Sequence, residues 1–292
     1  MLKKRSAILV LTMAIVLSTF GCAVDVADWT ESNTGSKDQE IYYGTGSGVN
    51  WGIVQLSWSG NTANPCTGYF ISPRHIVTAA HCTDEAYANK SKLYKIRVKT
   101  GYETQAFVRD VKRSDDWVSV KQNIYPGWVY EKQKPEYDTA ILTLPASATK
   151  NIPSKANMLR VSTESALVGS SHDTWGWGGT KIQKTKLVLP NDLLYGDPVT
   201  VSSTTAGAFR ASGTGNRLPC SGDSGGPSTR VYNGYYVVTG THRGNTVKGV
   251  CGSPGESLLW SDVANKGAWI KEILSVTDQS CTNYKGAYMK CF

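Results

Sequence analysis

The feature that most restricts the fold of this 292-residue chain is a succession of short runs rich in Val, Ile, Tyr and Thr, beginning at Trp51 and separated by Gly, Pro, Asn and Ser. GIVQLSW, YFISPRHIVTAA, KIRVKTG, AFVRDVKR, TAILTLP, KTKLVLP and YYVVTGTH each have the length of a strand. Their β-branched and aromatic side chains suit the pleated surface of a sheet. Many short strands with turn residues between them predict an all-β sandwich or barrel. No repeat of fixed period is present. One substantial helix is expected near the C-terminus. In SDVANKGAWIKEIL, Val263, Ile270, Ile273 and Leu274 fall on one helical face, and Ser261 or Asp262 can stand at the N-cap. The stretch Pro145 to Val168 is less regular and reads as a crossing between two halves. The terminal CTNYKGAYMKC reads as a small loop closed by Cys281 and Cys291.

The first 21 residues read as an export signal. MLKKRS is a positive start, and Ala7 to Phe20 is an apolar run too short for a membrane span. The run ends at STFGC, which resembles a bacterial lipoprotein processing site with Cys22 as the lipidated residue. Thr19 and Phe20 depart from that pattern. Residues 22–40 are polar and read as a tether or propeptide. Membrane association is expected only through a lipid on Cys22. The formal charge is +8, and without Lys3, Lys4 and Arg5 of the signal the remainder carries +5. These cations are scattered, which argues for a solvated surface and against a nucleic-acid partner.

Seven cysteines leave one over in an exported chain. With Cys22 as an anchor, Cys66, Cys82, Cys220, Cys251, Cys281 and Cys291 remain for three bridges, and parity alone allows 15 pairings. An oxidising compartment makes bridges, not zinc, the expectation. No metal or cofactor is called for.

PCSGDSGGP, from Pro219 to Pro227, places Ser224 between an aspartate and two glycines. A serine hydroxyl becomes a useful nucleophile only when a base takes its proton and a third group fixes the base's tautomer. Of four histidines, His75, His81, His172 and His242, His81 stands out. It ends the apolar run HIVTAAHC beside Cys82. Asp138 opens DTAILTLP, a strand buried on at least one face, whereas its competitors Asp115 and Asp116 sit in the polar KRSDDW.

Together TAAHC, DTAIL and GDSGGP, in that order, resemble the three catalytic signatures of the chymotrypsin/trypsin-like serine proteases. The likeness extends to CTGYFISPRHIVTAAHC, WGWGGT and the terminal AWI, and covers about Ile41 to Ser275. It implies two six-stranded antiparallel β-barrels with a C-terminal helix, a peptidase domain over 41–275 and a disulfide loop over 276–292. It implies His81 as general base, Asp138 as its orienting partner and Ser224 as nucleophile. The backbone N–H groups of Gly222 and Ser224 would form the oxyanion hole. Bridges Cys66–Cys82 and Cys220–Cys251, and protein or peptide substrates, are implied in the same way.

Three departures bear on specificity and activation. Leu218 stands where relatives that cut after Lys or Arg carry an aspartate, so tryptic specificity is not expected. GTHRGN, Gly240 to Asn245, is similar to the G-x-H of glutamyl endopeptidases. His242, helped by Arg243, would then favour an acidic residue before the scissile bond; the alternative is an apolar pocket. Finally, family members bury a new N-terminus against the aspartate before the nucleophile, here Asp223. Ile41 resembles such a start, with Glu40 before it in place of a basic residue. A different class of reading is an inactive homologue serving as a surface binding module. A lipase-type nucleophile elbow lacks the surrounding βαβ pattern.

Overall fold

A computed structural model describes residues 52–58, 61–84, 95–100, 118–151, 158–179, 181–183, 186–188, 193–215, 217–245 and 257–292. Cys22, Ile41, Asp115, Asp116 and Cys251 lie outside these residues. The first half contains β1 (Ile53–Trp58), β2 (Asn61–Ser72), β3 (His75–Thr78), the short helix α1 (Ala80–Asp84), β4 (Lys95–Thr100), β5 (Val118–Ser119), β6 (Lys121–Ile124) and β7 (Ala140–Thr143). The order across the sheet is β5-β4-β1-β2-β3-β7-β6. β5 and β6 are consecutive and separated only by Val120, so one broken strand pairs with β4 by its first part and with β7 by its second. This closes a six-stranded antiparallel barrel. A break of this kind bends a strand and re-aims its two ends.

The second half runs through β8 (Arg160–Ser162), β9 (Ser171–Gly176), β10 (Lys181–Gln183), β11 (Lys186–Val188), β12 (Leu194–Thr205), β13 (Ala208–Ser212), β14 (Pro227–Tyr232), β15 (Tyr235–Asn245) and β16 (Ser257–Asp262). It ends with helix α2 (Gly267–Ser275) and the hairpin β17 (Cys281–Tyr284) and β18 (Tyr288–Cys291). Strands β14-β9-β12-β13-β16-β15 form a ring, because β14 also pairs with β15. Closure removes the edges that would otherwise invite association. β8 joins β15 in parallel, and β18 and β17 continue the sheet outward from β8. The terminal CTNYKGAYMKC is thus a hairpin docked on the second barrel, with Cys281 and Cys291 paired across it and joined by a disulfide.

The period of two along the strands explains why runs such as AILT carry no polar alternation. In β7, Leu142 enters the core of the first barrel with Val54, Leu56, Phe70 and Ile76. Its neighbour Ile141 points the other way, into a second core shared with Trp175, Trp177, Val238, Ile270 and Leu274. Successive side chains of a strand face opposite sides, so a strand with both sides covered is apolar throughout. A third core, with Val199, Phe209, Leu218, Leu258 and Trp260, fills the second barrel. Tyr69 Oη to Thr241 Oγ1 at 2.9 Å, and Trp177 Nε1 donating to the Ile53 carbonyl at 3.2 Å, tie the barrels together through polar atoms.

The C-terminal helix begins later than its sequence suggests. Ser261 and Asp262 belong to β16, a 3-10 turn covers Ala264–Lys266, and α2 starts at Gly267 with no side-chain cap. The Asp262 carboxylate caps the 3-10 turn instead, accepting the Ala264 N–H at 2.9 Å. Ile270 and Leu274 carry the buried face. Among the described residues, no helix is long and apolar enough to cross a membrane.

Candidate active site

His81 sits in the first turn of α1, immediately after β3, and is 4% exposed. Asp138, fully buried, follows the 3-10 turn Pro135–Tyr137 and precedes β7, the strand paired with β3. Adjacent strands therefore deliver the two groups to one end of the first barrel. The Asp138 carboxylate takes the His81 backbone N–H on Oδ1 at 2.9 Å and contacts ring Nδ1 through Oδ2 at 2.8 Å. With Nδ1–H donating to the carboxylate, Nε2 is left as the basic nitrogen. Burial opposes ionisation of Asp138, but the charge and hydrogen bond of His81 and the nearby Arg243 outweigh it, holding the carboxyl below the usual carboxylate range.

The loop carrying Ser224 belongs to the second barrel and is fastened to the first by Thr67 of β2. Thr67 N–H donates to the Ser224 carbonyl at 2.8 Å, and its hydroxyl donates to the Gly222 carbonyl at 2.9 Å. The same hydroxyl accepts the Trp177 N–H at 3.0 Å. Cys66 and Cys82 are joined by a disulfide, and Cys82 Sγ lies 3.8 Å from His81 Nε2 and 3.6 Å from the Ser224 carbonyl oxygen. A disulfide sulfur has no hydrogen to give, so both are packing contacts. The outer edge of the imidazole and the Ser224 peptide thus rest against one sulfur. The same oxidation removes both thiolates from the Cys66, His81, Cys82 group as metal ligands. Ser224 Oγ makes no hydrogen bond to His81 in this structure.

Gly222 adopts φ +95°, and a Cβ there would stand 2.9 Å from the Gly178 Cα. Only glycine tolerates that combination at low cost. Among the described residues, neither the Gly222 nor the Ser224 N–H has an acceptor. Asp223, between them, is 1% exposed and turns the opposite way, accepting N–H donors from Gly178 and Cys220, each at 2.7 Å. A Cβ on Gly176 or Gly178 would run into its carboxylate, which accounts for two of the three glycines of WGWGGT. Cys220 is itself disulfide-bonded.

Burial pushes the Asp223 carboxyl up to about 7, against the pull of the Cys220 and Gly178 N–H groups. Between the ordinary carboxylate value and 7, the folded protein keeps a proton that the unfolded chain has released. Stability therefore falls as pH rises through that window, by at most about 1.4 kcal/mol per pH unit from this one group. Asp223→Asn in the full chain is expected to flatten the decline, measured as unfolding free energy from pH 4 to pH 7. An unchanged slope would exclude Asp223 as its source.

On the other side of the Ser224 loop, Leu218 is 2% exposed and packs with Trp260 and Phe209 in the second barrel's core. His242, on β15, is 1% exposed, and its ring lies 4.6 Å from that of Trp260. Neither ring nitrogen of His242 meets strict hydrogen-bond geometry; the Asp223 backbone beside the ring gives it a weak interaction that favours the charged form. Burial pushes this imidazole down to about 3, so the ring is neutral. Asn245 Nδ2 donates to the Pro219 carbonyl at 3.3 Å, linking the end of β15 to the segment after Leu218. Arg243 is turned away from this group: Nε lies 3.1 Å from Asp138 Oδ2, and Nη2 donates to Gln133 Oε1 at 2.6 Å. Thr67 and Gln133 had no mark in the sequence beyond proximity to Cys66 and to Asp138.

Comparison with known proteins agrees with this architecture. Residues 46–270 match the family described as Trypsin. The chain is 26% identical over 239 residues to chymotrypsin-like elastase family member 1 of Homo sapiens, covering 76% of this chain and 86% of that protein. It is 24% identical over 231 residues to tonin of Rattus norvegicus, covering 72% and 80%, and 26% identical over 230 residues to trypsin of Phaedon cochleariae, covering 75% and 82%. With two closed barrels, a short C-terminal helix and a family match over most of its length, the chain belongs to the trypsin family of serine proteases.

Proposed function

We propose that this protein is an exported endopeptidase that cleaves peptide bonds with Ser224 as nucleophile, His81 as general base and acid, and Asp138 as the group that orients the imidazole. The observation that carries the reading is the doubly held His81–Asp138 pair, with Ser224's peptide resting on the same sulfur as the His81 ring. Ser224 Oγ attacks the substrate carbonyl carbon while its proton passes to His81 Nε2. The tetrahedral oxyanion accepts the N–H groups of Gly222 and Ser224. His81 then gives the proton to the departing amine, leaving an acyl ester on Ser224, and water repeats the cycle to release the acid. The Asp138 anion, sealed from water, stabilises the imidazolium formed on the way. Disulfide-bonded Cys66–Cys82 and Cys281–Cys291 fit an oxidising compartment, in keeping with export.

Specificity in this reading is non-tryptic. Leu218, packed beside Trp260 in the second barrel's core, supplies no anion for a Lys or Arg side chain. An imidazole buried without a well-formed hydrogen bond is a costly group, and a substrate carboxylate or carboxamide that accepts its N–H would relieve that cost. The pocket is therefore assigned to apolar and acidic residues, with His242 deciding the acidic part. In cleavage-site profiling of a peptide library with the full chain, cuts are expected after Leu, Phe, Glu or Asp and not after Lys or Arg. His242→Leu is expected to reduce cleavage after Glu and Asp roughly tenfold or more relative to Leu. A ratio unmoved by that substitution would remove His242 from the pocket, and cleavage confined to Lys and Arg sites would refute the assignment as a whole.

A further inference from the structure

We propose that Arg243 is a positioning residue of the active site, a third partner of Asp138 whose charge sets the acid limit of activity; this rests on the Ser224–His81–Asp138 reading above. The sequence suggested a role against substrate, but the structure commits the guanidinium to Asp138 and Gln133. Its Nε is 3.1 Å from Asp138 Oδ2, the same oxygen that meets His81 Nδ1, and the side chains of Arg243 and Asp138 are only 14% and 0% exposed. The Nε–H satisfies no hydrogen-bond geometry toward that oxygen, so the contact acts through charge. In so dry a place a charge contact is weakly screened. The guanidinium is also anchored through Nη2 by Gln133 Oε1 at 2.6 Å, at a residue with φ +43° five positions before Asp138. One guanidinium thereby clasps both ends of the short stretch 133–138 that delivers the aspartate.

The charged and titratable groups around Asp138 come from several elements. His81 approaches from α1, and Arg243 and His242 from β15. Lys266, preceding α2, is fully buried, and its charge is felt by Asp138, Glu136 and Asp262. Lys266 spends its Nζ protons on the Asp262 carbonyl and on Asn265 Oδ1. His242 is neutral. Among the described residues, Arg243 is therefore the permanent cation in contact with the Asp138 carboxylate itself. The sign of its effect follows. A carboxylate whose charge is partly offset holds a proton on the neighbouring imidazole less firmly, and the carboxylate itself resists protonation. The first effect favours the basic form of His81, and the second keeps the carboxylate charged to orient the ring. Loss of the guanidinium removes both, and activity then requires a higher pH.

The test is the pH profile of kcat/KM for the full chain and its Arg243→Gln, Arg243→Lys and Gln133→Leu variants. A parallel NMR titration follows the His81 ring in a Ser224→Ala background. Arg243→Gln is expected to move the acid limb and the ring midpoint upward together by roughly one pH unit. Arg243→Lys, which keeps the charge, is expected to restore most of that shift. Gln133→Leu, which leaves the cation but frees its anchor, is expected to give a smaller shift of the same sign and decides the matter if Arg243→Gln does not fold. Midpoints unchanged in the folded variants, or a lysine variant as displaced as the glutamine one, would overturn the inference. A ring midpoint that moves in a protein with no hydrolytic activity would uphold the charge role while removing the protease reading, so the two failures are distinct.

Discussion

Ser224→Ala is expected to lower kcat for peptide hydrolysis by on the order of 10^6-fold, and adding His81→Ala to it is expected to cost almost nothing more. The reason is cooperative use of one proton. The His81 ring, held by two bonds from its own residue to Asp138, has value only if a hydroxyl presents a proton to Nε2. Without the Ser224 alcohol the base has nothing to activate on that path. What remains is binding and whatever the Gly222 and Ser224 N–H groups do for a carbonyl attacked directly by water, typically about 10^3- to 10^4-fold over the uncatalysed reaction. Single-turnover hydrolysis of one peptide by the two single variants and the double variant measures this directly. If the losses multiplied, the two side chains would act in separate steps and the relay would be wrong. If Ser224→Ala kept more than about a hundredth of the rate, the nucleophile would lie elsewhere.

Much of this arrangement could be read before any coordinates, and the reason lies in which interactions are local. GDSGGP and TAAHC encode backbone geometry over a few residues: the turn at Gly222, the staple at Cys82, the buried strand after Asp138. These requirements are written in contiguous letters. Contacts made across the cleft leave no such trace. Thr67 joins Ser224, Gly222 and Trp177 from 110 or more positions away in all three bonds, and nothing in CTGYF marks it as a hub. Arg243 followed His242 in a pattern that suggested a substrate pocket, yet β15 is irregular between His242 and Gly244, a bulge that re-aims the side chain there, and Arg243 contacts Asp138. Likewise the broken strand of β5 and β6 closes the first barrel through Val120, a feature of register and not of composition. The helix start was misjudged for the opposite reason: Asp262 does cap a turn, but a tighter one than the α-helix behind it.

The same cleft makes Gly225→Ala the substitution with the largest expected effect outside the reacting groups. Gly225 has φ +85°, where an alanine is strained by about 1–2 kcal/mol. Its Cβ would also collide with the Thr67 carbonyl and the Thr78 hydroxyl, and lie 2.9 Å from the Ala79 N, all on the first barrel. Two of these obstacles are backbone, which cannot rotate away, so the loop must retreat. Overpacking of this kind adds roughly 1–3 kcal/mol. The retreat stretches the Thr67 N–H to Ser224 carbonyl bond and the Gly225 N–H to His242 carbonyl bond, each 2.8 Å, which together fix Ser224. A total loss of about 2–5 kcal/mol of stability is expected, with kcat/KM reduced about 100-fold or more, because a displacement near 1 Å at a reacting group has that cost. Denaturant unfolding and peptide hydrolysis on the same preparation separate the two terms. A folded Gly225→Ala enzyme with undiminished turnover would mean that the approach of the two barrels at Thr67 does not set the position of Ser224.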